Sequence, residues 1–298
     1  MIEDPSKVHA DETNINSNIV CSLLKEQFPE WLNLSLKLIK SQGTDNVMYQ
    51  LGDDKVIRLP RTYGSALSLQ KECDWLPKLA PKLPIPVPVP IARGIPSTYY
   101  PHPWAICQFL EGSNPCIENR LDLQQASKDM AHFIDMMQKI PVKSGPECRR
   151  GLPLDSRAQE TRDAIQNVTE MYDAKLLNEI WDSMLAVPSW HGSPVWIHGD
   201  LHAGNLLAKN NLITAVLDFG SAGVGDPACD LMVAWTLLDT DSRKQFQEII
   251  QYDDATWQRG RGWAFTMGLV AYPYYKETDP LLASIAKRAL DEVVTEFS

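Results

Sequence analysis

Apolar side chains recur at helical spacing over residues 15–28 (Ile15, Ile19, Leu23, Leu24 and Phe28), and Pro29 ends the run. Three short strand-like stretches follow, at Leu34–Ile39, Val47–Leu51 and Lys55–Leu59. The turns between them, Gly43-Thr44-Asp45-Asn46 and Gly52-Asp53-Asp54, have the Asp/Gly chemistry of a β-meander. Residues 65–80 return to helical spacing, with Leu69, Cys73, Leu76 and Leu79 on one face. From Pro84 to Pro90 every second residue lacks an N–H, which excludes a helix or a central strand and predicts an extended, polyproline-like run. Ile91–Ile95 and Trp104–Leu110 read as two further strands. The first 110 residues are therefore expected to form a five-stranded sheet with one helix packed on it.

After Gly112 the period lengthens. Amphipathic segments near 121–139, 157–168, 173–186, 227–239, 242–251, 255–272 and 280–296 predict helices. One β-rich island interrupts them, at Val195–His198, Leu206–Ala208 and Ile213–Leu217. The pattern is α+β, with a small β-rich lobe at 1–107, a connector at 108–115 and a larger helical lobe at 116–298.

Composition narrows the class. An apolar share of 44% over 298 residues supplies a real core. No apolar run is long enough for a transmembrane helix, and the acidic start Met1-Ile2-Glu3-Asp4 is unlike a signal peptide. Six scattered cysteines without a C-x-x-C point to buried thiols and a cytoplasmic protein, not to a disulfide frame or zinc site. A net charge of −10 argues against nucleic-acid or anionic-membrane partners. By region the net charge is 0 over 1–107, −4 over 108–190 and −6 over 191–298.

The densest polar cluster is His198-Gly199-Asp200-Leu201-His202-Ala203-Gly204-Asn205, followed by Leu217-Asp218-Phe219-Gly220. Its chemistry suits phosphoryl transfer. A hydroxyl nucleophile needs a carboxylate to orient it and take its proton, a role for Asp200. Magnesium beside nucleotide phosphates needs hard oxygen ligands, and Asn205 and Asp218 offer an amide and a carboxylate. The H-x-D-x₄-N spacing is that of the protein-kinase catalytic loop. A metallohydrolase reading of His198-x-Asp200-x-His202 lacks an H-E-x-x-H partner motif.

These residues resemble the aminoglycoside phosphotransferase family, which is similar to the protein kinases in fold. His198-Gly-Asp200-Leu-His202-Ala-Gly-Asn205 matches its H-G-D-x₄-N loop, Leu217–Gly220 its metal-binding aspartate, and Gly225-Asp226-Pro227-Ala-Cys-Asp230-Leu231 its G-D-P-x-x-D-L segment. The resemblance implies a bilobal, protein-kinase-like fold with Asp200 as base and Asn205 and Asp218 holding Mg²⁺. It implies ATP or GTP as co-substrate, the purine on the backbone of Gln108, Phe109 and Leu110, and the Gly43–Thr44 turn over the phosphates. Arg58 stands where many members have a strand lysine, with Glu72 as its partner. The Arg58-Leu59-Pro60-Arg61 run resembles macrolide kinases of the same superfamily.

One histidine of the cluster and two aspartates downstream have quieter expected roles. His198 is expected to brace the loop, Asp226 to cap a helix and Asp230 to support the loop. The expected acceptor is a small molecule of aminoglycoside-like, cationic type, with macrolides or a metabolic alcohol as alternatives. A nucleotide-binding scaffold without catalysis is the reading from another class. The acidic excess falls on the proposed acceptor lobe, including Asp239, Asp241, Glu248, Asp253, Asp254 and Asp279, and a cationic acceptor would answer it.

Overall fold

The computed structural model describes residues 13–39, 45–118 and 121–297, with the side chains of 117 and 118 outside the description. Gly43 and Thr44 lie outside the described residues. Backbone contacts divide the chain into two compact units. One runs to Pro81 and takes in Pro86–Glu111; the other comprises Lys82–Ile85 and Gly112 onward.

In the first unit, helix α1 (Ser17–Gln27) starts at Asn16, whose side chain accepts the Ile19 N–H. It precedes β1 (Leu36–Ile39), β2 (Asn46–Leu51) and β3 (Lys55–Pro60). Helix α2 (Tyr63–Leu79), capped by Thr62, leads to β4 (Pro90–Gly94) and β5 (Trp104–Gln108). The five strands form one antiparallel sheet in the order β1-β2-β3-β5-β4.

Strand β3 is buried at five of its six positions, because both of its faces are covered. Ile57 and Leu59 join Val47, Tyr49, Leu51, Trp104 and Ile106 in a core with Val20, Leu23 and Leu24 of α1. Val56 faces the other way, onto Leu69 and Cys73 of α2 with Ala105 and Cys107. The period-2 pleat puts Arg58 on this second face. The sheet therefore carries a helix on each face, where the sequence pattern suggested one.

The second unit opens with a short helix α3 (Pro115–Glu118), then α4 (Leu123–Gln138), α5 (Ala158–Gln166) and α6 (Ala174–Leu185). Strand β6 (Val195–Ile197) follows, then the hairpin of β7 (Leu206–Lys209) and β8 (Leu212–Val216). Strand β9 (Gly223–Gly225), too short and glycine-rich to show as a strand in the sequence, pairs antiparallel with β6. Residues 227–239 do not form one helix. They divide into a 3₁₀ segment at Pro227–Met232 and a single turn, α7 (Val233–Thr236).

Helices α8 (Thr240–Ile250), α9 (Asp254–Tyr275) and α10 (Pro280–Thr295) complete the unit. Helix α9 packs on α10, α5, α6 and the 3₁₀ segment, and it is buried on nearly every side of its first four turns. Gly260 permits that approach: a Cβ there would lie 2.7 Å from the Leu231 Cβ and 3.0 Å from the Ala228 carbonyl. Of the cysteines, Cys73, Cys107, Cys148 and Cys229 are buried, whereas Cys21 is exposed, against the expectation for all six. Trp257 and Trp263 are core residues. Among the described residues no helix is long and apolar enough to cross a membrane.

Candidate active site

Strand β6 is buried at Trp196 and Ile197 and delivers the chain into a loop at His198. Gly199 has φ +76°, and a Cβ on it would lie 2.6 Å from the Cys148 Sγ and 3.0 Å from the Ser221 carbonyl oxygen. Both the left-handed backbone and the space call for glycine. The loop hangs on Asp230, whose two carboxylate oxygens accept the N–H of His198 at 2.7 Å and of Gly199 at 2.8 Å. Burial raises the Asp230 carboxyl to about 7, against the lowering effect of those two N–H donors.

His198 is wholly buried, and its partners fix its tautomer. Nε2 donates to the Leu217 carbonyl at 2.9 Å, while Nδ1 accepts the Asp200 N–H at 3.2 Å. Burial pushes its pKa down to about 4, so the ring is neutral near pH 7. His198 thus ties the loop to the end of β8 and holds the backbone of Asp200. The Asp200 side chain retains 21% exposure, and its Oδ1 forms an ion pair with Arg150, 50 residues earlier. Among the described residues no hydrogen bond engages Asp200 Oδ2.

A 3₁₀ turn, Ala203–Asn205, follows and is capped by His202, whose Nδ1 accepts the Gly204 N–H at 3.0 Å. His202 is also buried, and burial depresses it to about 3. The Asn205 amide nitrogen donates to the Asp200 carbonyl at 2.9 Å, which turns Oδ1 away from that contact. The Asn205 carbonyl accepts the Leu217 N–H at 2.8 Å and joins this loop to the strand end that leads into Asp218. Asn114 donates to the carbonyls of Ala203 (2.8 Å) and Gly204 (3.2 Å).

Asp218 adopts a left-handed backbone at φ 61°, ψ 70°, a conformation few non-glycine residues take. Its carboxylate is half-buried, and among the described residues it makes no hydrogen bond or ion pair. One amide oxygen and one uncommitted carboxylate are hard donors of the kind Mg²⁺ takes from a protein, with phosphates and waters filling the remaining positions. No group of three or more His, Cys, Asp or Glu converges among the described residues, so no all-protein metal cage competes with this set.

Asp226 performs two structural duties. Its Oδ1 accepts the Ala228 N–H at 3.0 Å, and its carboxylate binds the buried Arg259 through Nε at 2.7 Å.

In the first unit, Arg58 and Glu72 form a two-pronged pair at 2.6 and 2.9 Å, with side-chain exposures of 10% and 2%. The backbone after β5 is partly committed. The Gln108 N–H bonds the Val89 carbonyl and the Phe109 N–H the Asp54 carbonyl, each at 2.9 Å. Of the three residues expected to meet a purine, only Leu110 keeps an N–H without an acceptor among the described residues.

The structure thus joins His198, Asp200, Asn205 and the approach to Asp218 through one hydrogen-bonded frame. Sequence reasoning missed Arg150, Asn114 and Cys148, which sit 50 to 90 residues from their partners in no recognisable motif.

Residues 36–263 match the phosphotransferase enzyme family, APH. The chain belongs to this family. Solved structures show the kinase-like fold of the chain. The GDP complex of wild-type aminoglycoside 2'-phosphotransferase-IIIa is 18% identical, with a TM-score of 0.74 over 95% of this chain and 100% of that one. A GDP and kanamycin complex of APH(2'')-IIIa is 19% identical, at 0.73 over 93% and 98%. Macrolide 2'-phosphotransferase MphH from Brachybacterium faecium is 22% identical, at 0.62 over 92% and 97%. Among curated proteins, the uncharacterized YcbJ of Bacillus subtilis (strain 168) is 36% identical over 76 residues. That match takes in 25% of this chain and 23% of YcbJ, so the chain spans about a quarter of the curated relative's length.

Proposed function

We propose that this chain moves the γ-phosphoryl group of ATP or GTP to a hydroxyl of a small, cationic acceptor, with Mg²⁺ as cofactor. The carrying observation is the placement of Asp200, Asn205 and Asp218 on loops locked together by His198 and the Leu217 backbone. In this reading the open Asp200 Oδ2 orients the acceptor hydroxyl and takes its proton. The hydroxyl oxygen bonds to the γ-phosphorus, the β–γ bridging P–O bond breaks, and the nucleoside diphosphate leaves with that electron pair. Bound by Asn205 and Asp218, Mg²⁺ would offset the charge on the phosphate oxygens.

Solved relatives hold GDP, ADP or ATP, which supports a purine nucleotide here. We assign its purine to the Leu110 N–H and its phosphates to Arg58, the strand cation that pairs with Glu72. Relatives that hold kanamycin, gentamicin or streptomycin, together with this chain's acidic second half, favour a cationic acceptor.

A coupled assay of ADP or GDP release, run with Mg²⁺ against aminoglycosides, macrolides and small alcohols, tests the reading. Turnover with a polycation is expected. Asp200→Asn should lower kcat by about three or more orders of magnitude while nucleotide affinity changes little. Undiminished turnover in that variant would remove Asp200 from the chemistry. Silence of the wild type with every acceptor, despite nucleotide binding, would favour a scaffold.

A further inference from the structure

We infer that Arg150 is a positioning residue of the transfer reaction, setting the orientation of the Asp200 carboxylate; the inference rests on the phosphotransferase reading above. One nitrogen of its guanidinium, Nη1, donates both to the Gly199 carbonyl at 3.2 Å and to Asp200 Oδ1. Its two hydrogens thus tie the carboxylate to the backbone one residue earlier. An aspartate's terminal torsion is soft and broadly two-fold, so backbone position alone does not determine where the oxygens point. With Oδ1 held, Oδ2 is left for the acceptor hydroxyl.

The arginine is itself held. It lies in the 3₁₀ turn Arg149–Gly151. The Gly151 N–H bonds the Cys148 carbonyl at 2.9 Å, the Cys148 N–H bonds the Val224 carbonyl at 3.0 Å, and the Asp226 N–H bonds the Gly151 carbonyl at 2.9 Å. The turn is therefore sewn to β9, which pairs with β6, the strand that delivers Asp200. Arg150 and Asp200 are two arms of one frame. His202 Nε2 also faces Oδ1, but at 3.7 Å it lies beyond hydrogen-bond distance. Arg150 is the charged partner of the pair, and the Gly199 anchor argues against a mobile plug that an acceptor would displace. A carboxylate misplaced by about 1 Å costs up to about 10²-fold in rate.

The test is a double-mutant cycle on wild type, Arg150→Ala, Asp200→Asn and the double variant. Hydrolysis of Mg·ATP and Mg·GTP supplies the readout, with water as the acceptor actually used. Nucleotide affinity and thermal midpoint are measured for each protein. Arg150→Ala is expected to lower kcat about 10- to 100-fold with nucleotide KM within about two-fold of wild type. In the Asp200→Asn background the same change should cost less than about three-fold, because the carboxylate it orients is already gone. Added guanidinium ion should restore part of the loss in Arg150→Ala and none in the double variant.

Equal losses in both backgrounds, or losses that track the folded fraction, would overturn the inference in favour of a structural role. Faster hydrolysis in Arg150→Ala would overturn it in favour of a plug. A wild type that binds nucleotide but hydrolyses neither triphosphate would overturn the phosphotransferase reading and this inference with it. An active wild type with additive losses would overturn this inference alone.

Discussion

Arg58 and Glu72 form a deeply buried ion pair of the sheet unit, and two guanidinium nitrogens meet carboxylate oxygens. Removing one partner strands a charge in a low-dielectric site. Glu72→Ala is expected to destabilise the protein by about 3–5 kcal/mol, whereas a paired Arg58→Met/Glu72→Met replacement should cost far less. Chemical denaturation of the three proteins checks this, and a Glu72→Ala loss below about 1 kcal/mol would contradict it. The pair was legible in the sequence through the family resemblance, which sets Arg58 on a strand and Glu72 fourteen residues on in the next helix. Arg150 was not. One of two adjacent arginines in the Cys148-Arg149-Arg150 stretch has no spacing that announces a partner at Asp200, and the pairing of β9 with β6 brings the segments together.

At the scale of elements, His198 and Asp218 fall just past β6 and β8, where buried apolar strands stop and polar residues begin. That boundary is visible in the sequence at Ile197/His198 and Leu217/Asp218. Strand β9 is not visible, since Gly223-Val224-Gly225 offers neither alternation nor β-branched enrichment beyond one valine. The segment 227–239 reads as one helix by periodicity, yet it forms 3₁₀ and α pieces packed beneath Gly260. Asp230, within that segment, accepts the backbone N–H groups of His198 and Gly199. Asp230→Ala leaves both donors buried without a partner, at an expected cost of about 2–5 kcal/mol. The Gly199 amide should then exchange with solvent faster relative to the amides of α9. Unchanged protection at Gly199 would show that the loop does not depend on this carboxylate.

Over the whole molecule, two features of charge have consequences. The first is acid sensitivity. His198 and His202 keep pKa values of about 4 and about 3 when folded, against 6.5 for a free imidazole. Above pH 6.5 they are neutral in both states and contribute nothing to the pH dependence. Between pH 6.5 and 4 the unfolded chain binds two protons that the folded chain refuses. Asp230, raised from 3.8 to about 7, works in the opposite sense by one proton. The unfolded state therefore binds a net proton more, and stability from these groups should fall by about 1.4 kcal/mol per pH unit as pH drops through that window. Unfolding free energies measured from pH 8 to 4 check the sign, and a stability that rises on acidification would contradict it.

The second feature is the acidic excess. Asp239, Asp253 and Asp279 cap the N-termini of α8, α9 and α10, so half of the six acids assigned to an acceptor field also have local duties. Their charge persists, and the KM for a cationic acceptor is expected to rise with ionic strength. A KM indifferent to salt would leave those carboxylates as caps alone.

The central claim is that Asp200 activates an acceptor hydroxyl for transfer of the γ-phosphoryl group. Phosphorus-31 NMR of wild type and Asp200→Asn, each incubated with Mg²⁺, ATP or GTP and an aminoglycoside, reads this directly. A new phosphomonoester resonance that grows with wild type and is absent with Asp200→Asn is the predicted result. Equal growth of that resonance with both proteins would contradict the account.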